Sequence, residues 1–183
     1  DLVCHGVPSP KIFKDYIMDL EHEYNSRIIF FNFRDKRIGW KPCHSANAKF
    51  LNKKEYYIIG NKDSFIKGFL SDIYLRPSCH DCKFSKLPRV ADLSLADFWG
   101  VANYYLELND DKGTSLILIN NKKGKAMIEK CKNKLTLKLV DFKLALKHNP
   151  CIASSVIQNR KREQFFRNYT KKGWKYVEKK YLK

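Results

Sequence analysis

Arg76-Pro-Ser-Cys79-His-Asp-Cys82-Lys-Phe-Ser-Lys-Leu-Pro-Arg-Val-Ala-Asp92-Leu-Ser-Leu-Ala-Asp97-Phe-Trp-Gly100 places two thiols on a proline-started turn and follows them with an alternating segment that ends in Trp-Gly. With two residues between them, Cys79 and Cys82 can both reach one metal centre. Leu93, Leu95 and Phe98 set against Asp92, Ser94 and Asp97 read as a strand with one apolar face, and Gly100 as the point where it opens into a loop. A metal or redox site at a strand end is the first expectation.

Outward from that stretch the chain alternates between strand and helix patterns. Ser9 and Pro10 suit the start of a helix whose Ile12, Phe13, Tyr16, Ile17, Leu20 and Tyr24 recur at helical spacing, which puts Cys4 just before a helix N-terminus. Thiolates and anions are stabilised at such a terminus. Residues 27–36 are β-rich, and residues 45–51 and 54–59 read as a hairpin turning at Asn52-Lys53. Between them, Arg34, Lys36, Arg37 and Lys41 surround an exposed-looking Trp40, a setting that suits either a nucleotide or flavin phosphate or a solvated turn with a packed Trp.

Residues 62–74 form a helix that delivers the chain to Arg76. After Gly100 an acidic loop leads through Lys112-Gly113-Thr114-Ser115 into a strand over 115–119; residues 124–132 are helical, 135–140 a strand, and 142–147 a short helix. This order predicts a mixed α+β fold, a mixed β-sheet with helices packed on it. From Gln158 to Lys183 ten Lys or Arg face only two Glu, and Phe165, Phe166, Tyr169, Trp174, Tyr176 and Tyr181 punctuate the run at helical intervals. Residues 1–157 are expected as one domain, and 158–183 as a basic helical tail whose aromatic face packs on it.

The 183 residues suffice for a sizeable core, roughly 70% of the unfolded surface being buried at this length. A hydrophobic fraction of 44% argues against disorder despite a net charge of +17. That charge is made of 28 Lys and 8 Arg, whereas phosphate and base recognition favours Arg, so a solvated Lys surface is the leading reading and nucleic acid a secondary one. No run approaches the roughly 18 apolar residues of a membrane span. The chain opens at Asp1 as the tail of a strand, which reads as a fragment or a processed product. Six cysteines in a long, Lys-rich chain read as reduced and cytoplasmic; Cys131 and Cys151 are expected as buried small hydrophobes, and Cys43 is ambiguous. His22, His44 and His148 are isolated and expected at the surface or hydrogen-bonded.

Spacing alone leaves zinc and iron–sulfur open. Zinc would draw on Cys4, Cys79 and Cys82 with Cys43, His5 or His80, and a cubane cluster on the same three thiols plus a fourth. Neither a dinucleotide fingerprint nor a phosphate loop nor a nucleophile elbow is present, and Lys112-Gly113-Thr114-Ser115 is a weak candidate for an anion cradle.

Five runs in order decide between these readings: Asp1-Leu-Val-Cys4-His-Gly-Val-Pro-Ser9; Phe33-Arg-Asp-Lys36 with Gly39-Trp40; Arg76-Pro-Ser-Cys79 with Cys82; Ala91-Asp92 to Gly100; and Lys112-Gly-Thr-Ser115. Together they resemble the C-terminal domain of the coenzyme F420 hydrogenase/dehydrogenase beta-subunit family, in its bacterial iron–sulfur flavoprotein form. The resemblance implies an oxidoreductase module that moves electrons between a reduced donor, FAD and a [4Fe-4S] cluster. It implies Cys4, Cys79 and Cys82 as cluster ligands, with the fourth from a Cys of a preceding domain. It further implies Arg76, Asp92, Asp97, Trp99, Gly100, Gly113, Thr114 and Ser115 as flavin-binding positions. No catalytic acid or base is named. Bacterial relatives with the Cys-His-Gly-Val-Pro-Ser run resemble proteins of polysaccharide loci and pyruvyl transfer, so the donor is open between F420 and ferredoxin. The expected partners are an N-terminal domain of the same protein and that redox donor; homo-oligomerisation is open, and the 183 residues alone are expected to be inactive. The alternative is a non-catalytic, zinc-stabilised basic domain that binds nucleic acid or a protein.

Overall fold

In the computed structural model, which describes residues 1–40 and 45–183, the elements are helix α1 (Pro10–Tyr24), strands β1 (Ile28–Asn32), β2 (Ala46–Phe50) and β3 (Glu55–Ile58), helix α2 (Ser64–Leu70), strands β4 (Leu93–Asp97) and β5 (Ser115–Ile119), and helices α3 (Lys122–Cys131), α4 (Phe142–His148) and α5 (Arg162–Val177). This is the expected mixed α+β class with a C-terminal helix. Its strands fall into two small antiparallel sheets, β1-β2-β3 and β4-β5. The chain divides into two compact units, one of Asp1–His5 with Asp81–Val156 and one of Gly6–His80 with Ile157–Lys183.

In the Gly6–His80/Ile157–Lys183 unit, β2 is the central strand. Its alternate residues Ala46, Ala48 and Phe50 are buried on the face that meets the helices. Helix α1 contributes Ile12, Tyr16 and Leu20, four residues apart on one stripe, and α5 contributes Phe165 and Tyr169 in the same way. The core is dominated by rings: Tyr16 stacks on Phe65 at 4.9 Å between centroids, Tyr24 on Phe50 at 4.3 Å, and Trp174 meets Tyr16 edge-on at 6.2 Å. Trp174 reaches that place because α5 breaks at Gly173, whose φ of 75° lies in the left-handed region that a side chain disfavours.

One carboxylate lies where three of these elements meet. Asp63, 1% exposed, caps α2 by accepting the Ile66 N–H at 2.7 Å, and it accepts the hydroxyls of Tyr16 from α1 and Tyr56 from β3, each at 2.7 Å. Burial first, and then the negative charge of Asp63, push both tyrosine hydroxyls far above the ordinary tyrosine range. A buried carboxylate is tolerable only when its lone pairs are filled, and here three donors fill them.

In the Asp1–His5/Asp81–Val156 unit, β4 and β5 pair in unbroken register from Leu93 with Ile119 to Asp97 with Ser115. Residues 1–3 lie along the other edge of β4 through a parallel bridge between Leu2 and Leu95, with Val3 N donating to Leu95 O at 2.8 Å and Leu95 N to Asp1 O at 2.9 Å. The core consists of Phe98, Val101, Leu116, Ala145 and Ile152.

Several local expectations are corrected. On β4 the inward phase is Ser94, at 0% exposure, with Ala96 and Phe98 packed in the core, and Leu95 faces outward at 43%. Ser94 can be buried because its hydroxyl accepts from Asn120 Nδ2 at 2.9 Å. Residues 135–140 alternate like a strand but join no sheet among the described residues, and Leu139 is 97% exposed; an apolar period alone does not supply the partner that a ladder needs. Cys131 closes α3 and is exposed rather than buried, whereas Cys151 is buried as expected. Ser9 precedes α1 without a side-chain cap; its backbone N–H goes instead to Tyr74 O at 2.8 Å. Among the described residues no helix is long and apolar enough to cross a membrane.

Asp63→Ala should lower the stability of this unit by about 3 kcal/mol, the sum of a lost cap and two buried hydroxyls left without an acceptor. Urea unfolding followed by Trp fluorescence measures it. Adding Tyr16→Phe to Asp63→Ala should recover about 1 kcal/mol, because it removes one of the orphaned hydroxyls.

Candidate functional site

The turn bearing Cys79 is built by backbone bonds within its own unit. Residues 7–9 pair with 74–76, as Arg76 N donates to Val7 O at 2.8 Å and Ser9 N to Tyr74 O, and Pro77 opens a single 3-10 turn closed by Cys79 N to Arg76 O at 2.9 Å. That pairing aims the Val7 N–H at the Cys79 sulfur, 3.3 Å from Sγ. The Arg162 guanidinium, nearly buried, donates to Ile73 O at 3.3 Å and lies 4.7 Å from the centre of the Phe166 ring. Burial draws it down from the ordinary arginine range, while the negative charge of an ionised Cys79 opposes that change. The Cys79 sulfur is half-buried, with the Val7 N–H directed at it and the Val7 carbonyl oxygen 4.0 Å away. Arg76 is exposed on the same turn.

Cys4 and Cys82 belong to the other unit. Cys4 is exposed and follows the segment bridged to β4, and Cys82 is half-buried, its backbone N–H donating to Ser155 Oγ at 2.8 Å. Among the described residues no three His, Cys, Asp or Glu side chains converge on a point where one metal ion could sit. Cys43 and His44 lie outside the described residues. The three sequence-predicted ligands are thiols, the donor type that iron–sulfur clusters take, and in that chemistry Cys79 fits.

Besides Arg76, the positions read as flavin-binding belong to the Asp1–His5/Asp81–Val156 unit and fall there in two places. The register of the β-hairpin puts Asp97 opposite Ser115, and Phe98 N donates to Thr114 O at 2.9 Å, so the loops at Trp99-Gly100 and Gly113-Thr114 leave the sheet side by side. Thr114 Oγ1 is held by Leu108 O at 2.6 Å. Asp92 lies at the opposite end of β4, where it accepts from Asn121 Nδ2 at 2.8 Å and pairs with Lys123 at 3.3 Å across the start of α3. The bond from Asn121, and then Lys123, hold its carboxyl below the ordinary aspartate range.

The structure adds three residues to the Gly100 loop. Gly100 has φ of 77°, and a Cβ there would come within 2.6 Å of the His148 ring. His148 Nε2 is 3.2 Å from the Tyr104 hydroxyl, and Asn149 Nδ2 donates to Asp97 O at 3.2 Å. His148 and Asn149 end a short helix about 50 residues further along the chain, and no local pattern connects them to the loop. Trp40, by contrast, is not presented to a ligand: it is 8% exposed, with Arg34 and Lys36 4.8 and 4.6 Å from its ring centre.

Residues 1–144 match the family model that describes the C terminus of the coenzyme F420 hydrogenase/dehydrogenase beta subunit. The chain belongs to this family. The match takes in Cys4, Cys79, Cys82 and the loops at Gly100 and Gly113, and it ends before His148, Ser155 and Arg162. No curated protein and no solved structure matches the chain.

Gly100→Ala should cost this unit about 2 kcal/mol, from a left-handed backbone that L residues disfavour and from overlap with the His148 ring. Thermal unfolding checks the cost, and a shifted His148 ring resonance should accompany it.

Proposed function

We propose that this chain is the C-terminal domain of an iron–sulfur flavoprotein oxidoreductase, moving electrons between a reduced donor of the F420 or ferredoxin kind, FAD and a [4Fe-4S] cluster. The observation that carries the reading is the family match over residues 1–144, which takes in all three thiols of the ligand set. Cys4, Cys79 and Cys82 are the ligands proposed, with a fourth thiolate from another domain of the same cytoplasmic protein. The Val7 N–H directed at the Cys79 sulfur at 3.3 Å supports this role, since cluster thiolates commonly accept such bonds. Hydrogen bonds to sulfur and nearby charge are also the levers by which a protein sets a cluster's potential.

The flavin positions proposed are Arg76, Asp92, Asp97, Trp99, Gly100, Gly113, Thr114 and Ser115. FAD supplies the exchange between two-electron and one-electron chemistry when bound. For its part the chain offers backbone N–H groups and small side chains where the two loops leave β4 and β5, held in place by the Asp97–Ser115 pairing and by Asn149. The Tyr104–His148 pair stands beside Gly100 with hydrogen-bonding capacity that a bound ring system could use. Asp92, tied to Asn121 and Lys123, orients the other end of the strand.

The full-length protein, prepared without oxygen, should contain close to four iron and four acid-labile sulfide per cluster and one FAD. Cys79→Ser should lose most of the iron and the broad visible absorption while retaining its far-UV dichroism. An intact chromophore in that variant would remove Cys79 from the ligand set, and one zinc per chain without flavin would replace the reading with a structural metal domain.

A further inference from the structure

In the Asp1–His5/Asp81–Val156 unit, residues 82–89 lie within the family match and residues 150–155 beyond it, and three side chains bind the two segments together. The Cys82 N–H donates to Ser155 Oγ at 2.8 Å, and the same hydroxyl lies 3.4 Å from the Cys82 carbonyl oxygen, to which it donates. Ser85 Oγ is 2.8 Å from Cys151 O and 2.9 Å from Ser154 O. Arg89, with its side chain 3% exposed, donates Nη1 to Ile152 O at 3.4 Å and Nη2 to Asp1 Oδ2 at 3.0 Å, with Leu2 O at 3.5 Å.

These bonds have a directional consequence. A hydroxyl that takes both the N–H and the C=O of one residue fixes the two peptide planes flanking it, and with them the direction of its Cα–Cβ bond. For Cys82 only the rotation about χ1 is then left to place the sulfur. Arg89 extends the same restraint to the segment that leads into Cys4, because Asp1 and Leu2 are the residues it holds. Taking an arginine almost wholly out of water costs several kcal/mol, and a packed apolar residue would join the two segments without that cost. An arginine is suited to holding three oxygens from two segments at fixed angles.

We propose that Ser155 is a positioning residue for Cys82, and that the 150–155 turn is a clamp which presents the Cys82 thiol to the group it binds. The inference rests on the ligand reading above, and it adds a residue that lies outside the family match. Positioning residues behind metal ligands commonly account for 10–100-fold in affinity.

The test uses the full-length protein and the variants Ser155→Ala and Ser155→Thr, with two readouts. In metal-free protein, alkylation of each cysteine by iodoacetamide is followed by peptide mass spectrometry, with the exposed Cys131 as internal reference. After anaerobic reconstitution with iron and sulfide, the rate of iron loss to a chelator and the electron paramagnetic resonance spectrum of the reduced protein are recorded. Ser155→Ala should alkylate at Cys82 about tenfold faster with Cys131 unchanged, lose iron about tenfold faster and show an altered spectrum, and Ser155→Thr should restore all three. Equal Cys82 alkylation in the three proteins overturns the inference. Should wild type take up no iron, the ligand reading falls, and the alkylation rates alone decide whether Ser155 positions Cys82.

Discussion

A single buried carboxylate organises the Gly6–His80/Ile157–Lys183 unit. Asp63 collects a hydroxyl from α1, a hydroxyl from β3 and the Ile66 N–H of α2, so the angles between three elements are constrained at one point. The surrounding core is built of aromatic rings, which fill space well but tolerate several packings. A charge that must keep all its donors selects one of them. The last turn is tied in by a second acidic residue, Glu178, which accepts from Ser64 Oγ at 2.9 Å. Arg162 of α5 in turn bonds to Ile73 O, so the same helix that completes the core also holds the chain just before the Cys79 turn.

In the Asp1–His5/Asp81–Val156 unit the buried charge is Arg89, bonded to Asp1 and to Ile152 O. The unit's hairpin is held by register and by a small apolar core, and its polar side chains are spent on fixing loops: Asn120 on Ser94 and Ala91 O, Asn149 on Asp97 O, Thr114 on Leu108 O, Ser155 on Cys82. Such bonds are worth roughly 1 kcal/mol each, little as stability, but they define where backbone groups point. That division fixes the direction of backbone groups in several loops of the unit. It also explains why residues beyond the family match matter to it, since Asn149 and Ser155 anchor loops that lie within the match.

The basic surface reads simply in this setting. On α5 and the turn that follows it, Lys172 and Lys180 lie 4.3 and 5.7 Å from the ring of half-buried Tyr176, and Lys175 pairs with Asp19. The first two draw the Tyr176 hydroxyl below the ordinary tyrosine range, and their ammonium groups lie over its ring. The aromatic spacing of the tail is a core pattern, with Phe165, Tyr169 and Trp174 inward and the lysines in water.

The sequence by itself determined the elements and their order, because helical periods with capping residues and a β-hairpin with a left-handed turn residue are local signals. Lys53, at φ 67°, sits where the Asn52-Lys53 turn was expected, and β5 runs over residues 115–119 as read. The Cys79–Cys82 spacing and the glycines at 100 and 113 are local patterns of the same kind. What only the tertiary structure decided was phase and partnership. On β4 both alternating sets contain apolar residues, so which faces inward depends on whether Asn120 can satisfy the Ser94 hydroxyl, 26 residues away. Residues 135–140 have the period of a strand and no ladder, Trp40 has the setting of a ligand platform and is packed, and His148, Ser155 and Arg162 reach the site segments from 44 to 89 residues away. Periodicity records what one segment would bury, whereas pairing and satisfaction of polar groups are settled only when distant segments meet.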